Sequence, residues 1–470
     1  MSTFWQSPAN RPSALIRLTT LCDTLKCAHQ NCQIKNKLTK FSFQLLILQQ
    51  KNTIHFMQLK NLFYTSVIFG LTGLISCNNN TGNTKKSTDT VIDTTTVGPV
   101  ENRPSKSGYK PAFAGQTRIN RVKTTTPYKV EKIAEKIGHP WAVIAMPDGR
   151  LLISDKSGFI SIYSADGKMI KKITGLPEVL YKGQGGLLDL ALDPDFATNK
   201  IIYWTFSEKH GQSNLTAVAK GKLSADETSI ENPVVIFRAT PELDSENHFG
   251  SRLLFNKEGY LFVSAGERFI LEGRAQAQLL SSGLGKIFKL TKDGKPAPGN
   301  PFLTTPNAKP EIYSYGHRNP QSLDINPVTG DLWEAEFGPQ GGDELNLIQA
   351  GKNYGWPVIT YGLEYDDRRI GDSIQQKEGM EQPVYYWEPV LSPGGMVFYT
   401  SDSIPEWKNN LFIGGLSSTH IARLVIENNK VVGEEKLLAD QHERIRDITQ
   451  LNGKLYAVTD GGILFRISKK

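Results

Sequence analysis

Two polar, glycine-bearing loops carry residue types that can transfer a proton and stabilise a developing charge. Residues 245–252, Ser-Glu-Asn-His-Phe-Gly-Ser-Arg, include His248, whose neutral imidazole can accept a proton near pH 7. Residues 315–321, Tyr-Gly-His-Arg-Asn-Pro-Gln, include Arg318, whose guanidinium can stabilise negative charge on an oxygen atom. Because both loops directly precede predicted strands, their side chains can face a channel. The residue types alone leave two alternatives open, a histidine that only orders its loop and an arginine in a surface ion pair.

A third loop, residues 336–344, places carboxylates and glycines together in the order Glu-Phe-Gly-Pro-Gln-Gly-Gly-Asp-Glu. Calcium prefers oxygen ligands, including the backbone carbonyls that glycine and proline turns expose. The spacing does not match that of an EF-hand loop, so the pattern offers calcium suitable ligands without a recognised coordination motif.

Two arginines, Arg444 and Arg446, lie two residues apart on a predicted strand and therefore point to the same side of it. Their guanidinium groups repel each other unless an anion lies between or above them. A planar polycarboxylate would satisfy both through bidentate bonds, and a salt bridge to Asp447 or Glu443 is the alternative. Gln184, between glycines, adds an amide at the corresponding place before another strand.

The elements that position these loops are copies of one pattern, in which a polar turn joins two apolar strands. The six copies lie at residues 141–154, 187–206, 252–264, 322–333, 395–413 and 446–458. Six hairpins with almost no helical periodicity between them predict an all-β fold, a six-bladed β-propeller with four-stranded blades. A jelly roll or a sandwich is the alternative, but neither explains the sixfold recurrence. Long loops at one end of a propeller channel usually carry the site.

The formal net charge of +7 is distributed in a way that argues against nucleic-acid binding. Residues 1–76 contain eight Lys and Arg against one acidic residue, Asp23. The rest of the chain has 46 basic and 46 acidic residues and is formally neutral. Because phosphate binding needs a basic stripe, a nucleic-acid partner is not expected.

Cysteine and histidine positions restrict the chemistry of the repeated region further. All four cysteines precede it, so it contains neither a disulfide nor the thiolates of a Cys/His zinc site. The region has six histidines, which leaves few candidates for a histidine-based mechanism: His139, His210, His248, His317, His420 and His442.

The amino-terminal region is typical of a secretion signal followed by a tether. From Met57 the chain has one early lysine, an apolar run of about 14 residues and Leu-Ile-Ser before Cys77, which resembles a bacterial lipoprotein precursor. This run is short for a membrane span, which needs about 20 apolar residues. An uncleaved transmembrane anchor is the alternative. A lipid on Cys77 would be the only membrane attachment, and the expected location is the cell envelope.

The sequence therefore predicts four regions. Residues 1–56 are interpreted as a mis-assigned extension, 57–76 as the signal peptide, 77–126 as a flexible tether, and 127–470 as the propeller domain. The tether prediction rests on a stretch rich in Thr, Ser, Lys, Asp and Gly with few apolar residues.

Six loop motifs together resemble the soluble glucose and aldose sugar dehydrogenases that depend on pyrroloquinoline quinone (PQQ). The motifs are Gly-Gln-Gly-Gly-Leu-Leu at 183–188, Asn-His-Phe-Gly-Ser-Arg at 247–252, Gly-His-Arg-Asn-Pro-Gln at 316–321, Glu-Phe-Gly-Pro with Gly-Asp-Glu at 336–344, Asn-Tyr-Gly-Trp-Pro at 353–357 and Arg-Ile-Arg-Asp at 444–447. They occur in order over nearly all of residues 127–470, so the set is far more specific than any single motif.

The resemblance implies oxidation of the C1 hydroxyl of an aldose to a lactone, with hydride transfer to the quinone. His248 would be the general base, and Arg318 would stabilise charge on a quinone oxygen. The remaining implied contacts are Gln184 and Asn247 around the cofactor and the sugar hydroxyl, Asn319 on the cofactor, Arg444 and Arg446 on its carboxylates, and the backbone carbonyls of Gly338 and Pro339 on a calcium ion.

One departure from the family pattern concerns charge. Relatives place a lysine that contacts the quinone in the pattern Gly-x-Leu-Lys, whereas this chain has Ser417 in Gly-Gly-Leu-Ser. The loss of one positive charge should weaken cofactor binding and leaves quinone use open.

Two other functions remain as alternatives. One is a calcium-dependent lactonase or esterase, because propellers host several chemistries. The other is a non-catalytic carbohydrate-binding propeller. The expected partners are an aldose and an electron acceptor for the reduced quinone, and the sequence leaves monomer or homodimer open.

Overall fold

The computed structural model describes residues 98–470, and the regular secondary structure in this part of the chain consists almost entirely of antiparallel strands. The predicted extension and signal peptide, together with Cys77 and the first part of the predicted tether, lie outside the described residues. In the described part, no helix has the length and apolar character needed to cross a bilayer.

Residues 98–470 form six four-stranded sheets, which confirms the predicted six-bladed β-propeller. The first strand of the described region is β1 (Tyr128–Glu135). Blade 1 contains β2 (Pro140–Ala145), β3 (Leu151–Asp155), β4 (Phe159–Tyr163) and β5 (Met169–Ile173). Blade 2 contains β6 (Leu187–Leu192), β7 (Ile201–His210), β8 (Ser213–Leu223) and β9 (Ile230–Arg238). Blade 3 contains β10 (Leu253–Phe255), β11 (Leu261–Ala265), β12 (Lys286–Leu290) and β13 (Ile312–Tyr315).

The second half of the chain repeats this arrangement. Blade 4 contains β14 (Pro320–Ile325), β15 (Leu332–Glu336), β16 (Asp343–Ile348) and β17 (Tyr385–Trp387). Blade 5 contains β18 (Pro393–Phe398), β19 (Leu411–Gly415), β20 (Ile421–Glu427) and β21 (Lys430–Leu437). Blade 6 contains β22 (Ile445–Leu451), β23 (Lys454–Thr459) and β24 (Ile463–Lys469). Two short helices, α1 (Phe196–Asn199) and α2 (Leu271–Gln276), and the 3-10 turns Pro405–Trp407 and Ala439–Gln441 lie between strands.

The ring closes by pairing the two ends of the described sheet region. β1 is the outer strand of blade 6, antiparallel to β24, with Tyr128 opposite Lys469. The six predicted hairpins are the first two strands of the six blades. Their tight turns carry glycine where a positive φ is required, as at Gly149 (φ 87°) and Gly259 (φ 80°).

The apolar core lies between adjacent blades. The face of blade 1 that contains Trp141 packs against the face of blade 2 that contains Leu190 and Trp204, and all three side chains are buried. Burial of a side chain of this size contributes about 1.5–3 kcal/mol. Hydroxyl groups also join adjacent blades through buried hydrogen bonds, among them those from Ser154 Oγ to the Leu188 carbonyl, from Thr205 Oγ1 to that of Ser251 and from Ser264 Oγ to that of Pro320.

The predicted flexible tether, residues 77–126, extends too far, because residues 98–126 pack against the outer edges of blades 4 and 5. The Val122 N–H donates to the Glu434 carbonyl on β21 at 3.0 Å, and the Gln116 carbonyl accepts from the Tyr386 N–H on β17 at 2.9 Å. Val100 is buried as well. An outer strand leaves a row of unpaired backbone groups, and this segment satisfies part of that row despite its polar composition.

Candidate active site

The predicted site residues lie at one end of the propeller channel. Neighbouring strands are antiparallel, so the first strand of a blade begins at the same end at which the second strand finishes. The loops between blades contain Gln184, Asn247, His248, Arg318, Asn319 and Arg444, and the loop after β15 contains Gly338 and Pro339. Arg446 is the second residue of β22.

His248 is buried against a carboxylate that the sequence analysis did not identify. Its Nδ1 lies 2.5 Å from Glu267 Oε1. Burial, followed by the charge of Arg318, lowers the pKa of His248 to about 4, although Glu267 opposes both effects. The neutral imidazole therefore donates from Nδ1 to Glu267 and leaves Nε2 unprotonated. Since Nε2 has no hydrogen-bond partner among residues 98–470, it can accept a proton from a bound substrate.

The buried guanidinium of Arg268 holds the loop that contains His248. Arg268 donates to the carbonyls of Asn247 at 3.0 Å, Ser245 at 2.6 Å and Asn214 at 2.9 Å. The backbone of His248 has a φ of 49°, a left-handed conformation that persists in non-glycine residues when the surroundings enforce it. These contacts fix the imidazole before a ligand binds.

The three predicted amides lie in or next to the same loop. Gln184 Oε1 accepts from the His248 N–H at 2.8 Å, and Asn319 Oδ1 accepts from the Gly250 N–H at 3.0 Å. The Asn247 side chain makes no hydrogen bond within the described part of the chain. Gln184 and Asn319 therefore position the loop, whereas the Asn247 amide is available to a ligand.

Arg318 is buried, and its guanidinium is only partly paired. Its Nη1 donates to the carbonyls of Phe337 at 3.1 Å and Gly338 at 2.6 Å, and the group lies 5.1 Å from the centroid of the Trp356 ring. Its Nε is buried and finds no partner in residues 98–470. An unpaired buried donor is costly, so an acceptor oxygen on a ligand would be stabilised here.

The carbonyls of Gly338 and Pro339 do not form a free pair of calcium ligands. The Gly338 carbonyl already accepts from Arg318, while that of Pro339 accepts no hydrogen bond from any described residue. A calcium ion at this pair would lie beside a guanidinium of the same sign of charge. The implied calcium site therefore does not fit this arrangement.

A richer set of oxygen ligands lies in blade 4. Glu334 and Glu336 on β15 are buried beside Glu344 and Asn346 on β16, and ligand atoms of His317, Glu334 and Glu336 lie within 4.8 Å of one another. Burial and the charge of Glu336 raise the pKa of both Glu334 and Glu344. Glu334 Oε1 and Asn346 Oδ1 are buried acceptors without partners in the described structure. Calcium takes ligands of this kind.

Arg444 and Arg446 share one anion, Asp460, which follows β23. Asp460 accepts from the Nε of each arginine at 2.8 Å. Among the described residues, neither Asp447 nor Glu443 forms a salt bridge with these two arginines. Asp447 pairs with Arg252 at 3.0 Å instead. The Arg446 side chain is 14% exposed and that of Arg444 is 49% exposed, so Arg446 is the more firmly held of the two.

The position of the family lysine holds a hydroxyl. Ser417 Oγ lies 2.8 Å from Ser392 Oγ, in the loop that follows β19. That loop, residues 416–420, contains neither lysine nor arginine. Blade 5 therefore contributes no positive charge through this loop.

Aromatic rings border the imidazole. The ring of Phe269 packs edge-on against that of His248 with centroids 5.0 Å apart, and Tyr365 lies 6.1 Å from Phe269. Phe269 is 38% exposed and Tyr365 is 59% exposed. The mouth of the site is therefore apolar on one side and cationic on the other.

Sequence reasoning missed Glu267 and Asp460, although a signal for both exists. Each is a carboxylate next to glycine, directly after the second strand of a blade, in Ala-Gly-Glu and in Asp-Gly-Gly. Carboxylates in that position belong to the same end of the channel as the loops between blades.

Comparisons with known proteins agree with this arrangement. Residues 137–466 match the family model described as Glucose / Sorbosone dehydrogenase. The chain is 40% identical over 347 residues to an aldose sugar dehydrogenase of Escherichia coli, covering 73% of this chain and 93% of that protein.

Two solved structures are similar over nearly their whole length. The apo form of the soluble aldose sugar dehydrogenase from Escherichia coli is 39% identical, with a TM-score of 0.70, covering 73% of this chain and all of that one. The PQQ-bound aldose sugar dehydrogenase from Streptomyces coelicolor is 26% identical, with a TM-score of 0.60, covering 74% and 99% of the two chains. The protein therefore belongs to the glucose/sorbosone dehydrogenase family of β-propellers.

Proposed function

We propose that this protein oxidises the C1 hydroxyl of aldoses to the lactone with PQQ as the hydride acceptor. The observation that carries the proposal is the buried, neutral imidazole of His248, which Glu267 orients and whose Nε2 has no hydrogen-bond partner in the described part of the chain. Nε2 takes the hydroxyl proton while the C1–H bond breaks with its electron pair, and the carbon–oxygen double bond forms. PQQ, when bound, supplies the electrophilic quinone that receives the hydride.

The charges at the mouth of the site fit a flat, anionic cofactor. Arg318 offers a buried donor that has no partner among residues 98–470, and Arg446 is held in place by Asp460. Guanidinium groups bind carboxylates and quinone oxygens through charge-assisted hydrogen bonds. The PQQ-bound relative supports the choice of cofactor.

Calcium is the second cofactor that we propose. The acidic cluster of blade 4 suits it better than the carbonyls of Gly338 and Pro339. The cluster has acceptors that find no partner in the described residues, whereas the Gly338 carbonyl already accepts from Arg318. The Arg318 N–H donates to Glu336 Oε2 at 2.5 Å, so a cation bound there would also support the loop of Arg318.

Reconstitution tests the proposal. The purified protein is incubated with PQQ and calcium, and aldose oxidation is followed through an artificial electron acceptor, with lactone identified as the product. Turnover that requires PQQ is the expected result. Lactone hydrolysis without quinone would instead identify a lactonase, and saturable sugar binding without turnover would identify a carbohydrate-binding module.

We also propose that the protein is anchored in the cell envelope through a lipid on Cys77. The support is the sequence Leu-Ile-Ser-Cys at the end of the apolar segment that begins after Met57. Metabolic labelling with a clickable fatty acid should mark the wild-type protein and not Cys77→Ser. Equal labelling of both would exclude this attachment.

A further inference from the structure

We propose that Lys156 is an additional cofactor-binding residue, whose ammonium group supplies the positive charge that Ser417 does not provide. The inference rests on the proposed function and deepens it, because it assigns one carboxylate of the anionic quinone to a side chain of blade 1. No residue of blade 1 has a role in the site described above.

The position of Lys156 in the ring is the first argument. Lys156 begins the loop between β3 and β4, which by the antiparallel order of strands lies at the same end of the channel as His248. Blade 1 stands between blade 6, which carries Arg446, and blade 2, whose entry loop carries Gln184. A side chain from this loop therefore reaches the space between two other site residues.

The contacts of Lys156 place its ammonium at that point. Nζ donates to the Gly183 carbonyl at 2.9 Å and lies 5.4 Å from the centroid of the Tyr181 ring. Gly183 precedes Gln184, whose side chain holds the backbone of His248. The carbonyl that Lys156 contacts therefore belongs to the residue next to Gln184, which positions the catalytic base.

The ammonium has capacity for a ligand. It carries three N–H donors, and the Gly183 carbonyl is its one hydrogen-bond partner among the described residues. Burial, followed by the charge of Arg446, lowers the pKa of Lys156, while Asp460 opposes this shift. Two like charges near each other favour an anion between them.

The net charge of the side chains around the cofactor carboxylates also favours a role for Lys156. Arg444 and Arg446 share Asp460, so this group alone carries one net positive charge. The loop containing Ser417 adds none. A cofactor with three carboxylates is better matched when Lys156 raises the summed charge of Arg444, Arg446, Asp460 and Lys156 to two.

The test is equilibrium binding of PQQ to the purified full chain in calcium buffer, measured by dialysis and absorbance at several salt concentrations. Lys156→Gln removes the charge but keeps an amide donor for the Gly183 carbonyl. Lys156→Arg keeps the charge. The matched control is Lys168→Gln, an exposed lysine in the loop at the opposite end of the same blade. Thermal melting of each variant verifies folding.

Lys156→Gln should raise the Kd for PQQ about tenfold and make binding less dependent on salt. Lys156→Arg and Lys168→Gln should stay within about twofold to threefold of wild type, since both leave a charge at position 156. Adding Ser417→Lys to Lys156→Gln should restore most of the affinity. Equal affinities for Lys156→Gln and Lys168→Gln would overturn the inference, as would a double variant that binds no better than Lys156→Gln.

The outcomes also separate the inference from the proposed function. Wild-type protein that binds PQQ but oxidises no aldose would end the enzymatic proposal, while the ranking of the variants would still decide the role of Lys156. Wild-type protein that binds no PQQ would end both.

Discussion

His248 and Glu267 form a hydrogen-bonded pair, 2.5 Å between Nδ1 and Oε1, although they come from different loops of blade 3. His248 lies before β10 and Glu267 lies after β11, so the antiparallel pairing of these two strands brings the two loops together. The pair fixes the imidazole tautomer and leaves Nε2 for the substrate. It thereby sets the direction of proton transfer.

Replacing the base should remove most of the activity. We expect His248→Ala to lower kcat by roughly a hundredfold or more, in line with loss of general-base catalysis. His248→Asn, which suits the left-handed backbone better, should do the same while PQQ affinity changes little. Steady-state kinetics of the reconstituted enzyme measure this, with His442→Asn as an exposed control at the same end. An unchanged kcat would remove His248 from this role.

Activity should fall at acidic pH because the base must be neutral. The pKa of His248 is lowered to about 4, so kcat/KM should decline as the pH drops through about 4 and should be insensitive to this group near pH 7. Glu267→Gln removes the carboxylate that raises this pKa, so the acidic limb should move to lower pH and kcat should drop about tenfold or more. A pH–rate profile in which wild-type activity is lost near pH 6.5 would contradict this account.

The two arginines that share Asp460 should contribute unequally to cofactor binding. Arg446 is held by two bonds to Asp460 and one to Gln321, whereas Arg444 has one bond and is half exposed. Arg446→Ala should therefore raise the Kd for PQQ by roughly 30- to 100-fold, or about 2–3 kcal/mol. Arg444→Ala should raise it by about fivefold. Titration calorimetry would refute this ordering if Arg444→Ala had the larger effect.

Restoring the family lysine should strengthen cofactor binding. Ser417→Lys loses a hydroxyl contact with Ser392 but adds a positive charge at the position where relatives have one. We expect the Kd for PQQ to fall several-fold, measured against Ser401→Lys, a serine of the same blade beyond β18. Weaker binding by Ser417→Lys would show that this position does not face the cofactor.

Calcium should stabilise the protein through the acidic cluster of blade 4. Adding calcium to metal-free protein should raise Tm by several degrees, because a cation that binds only the native state shifts the unfolding equilibrium. Glu334→Gln and Glu344→Gln should each reduce this shift, whereas the exposed control Glu258→Gln should keep it. A full calcium shift in both cluster variants would place the ion elsewhere.

Much of the fold and part of the site follow from local patterns in the chain. The six hairpins are encoded by alternating apolar residues and turn residues within about 20 positions, so their number and the closed ring of blades were predictable. The loops of His248 and Arg318 could also be identified from the sequence, because a hairpin does not need polar residues directly before its first strand.

The amino-terminal boundary shows where composition misleads. Residues 98–126 have few apolar side chains, which predicts a tether, yet they provide hydrogen-bond partners for part of the outer edges of blades 4 and 5. The sequence of residues 98–126 does not show that the outer strands of blades 4 and 5 need backbone hydrogen-bond partners.

The sequence alone determined which chemical groups are present, namely imidazoles in two polar loops, arginines near the channel and carboxylates after strands. Only the tertiary structure decided the partners, because Glu267, Asp460 and the Gly338 carbonyl reach His248, the arginine pair and Arg318 through strand pairing within a blade. Residues up to 20 positions apart meet there, and their hydrogen bonds depend on strand register and burial, which no local pattern specifies.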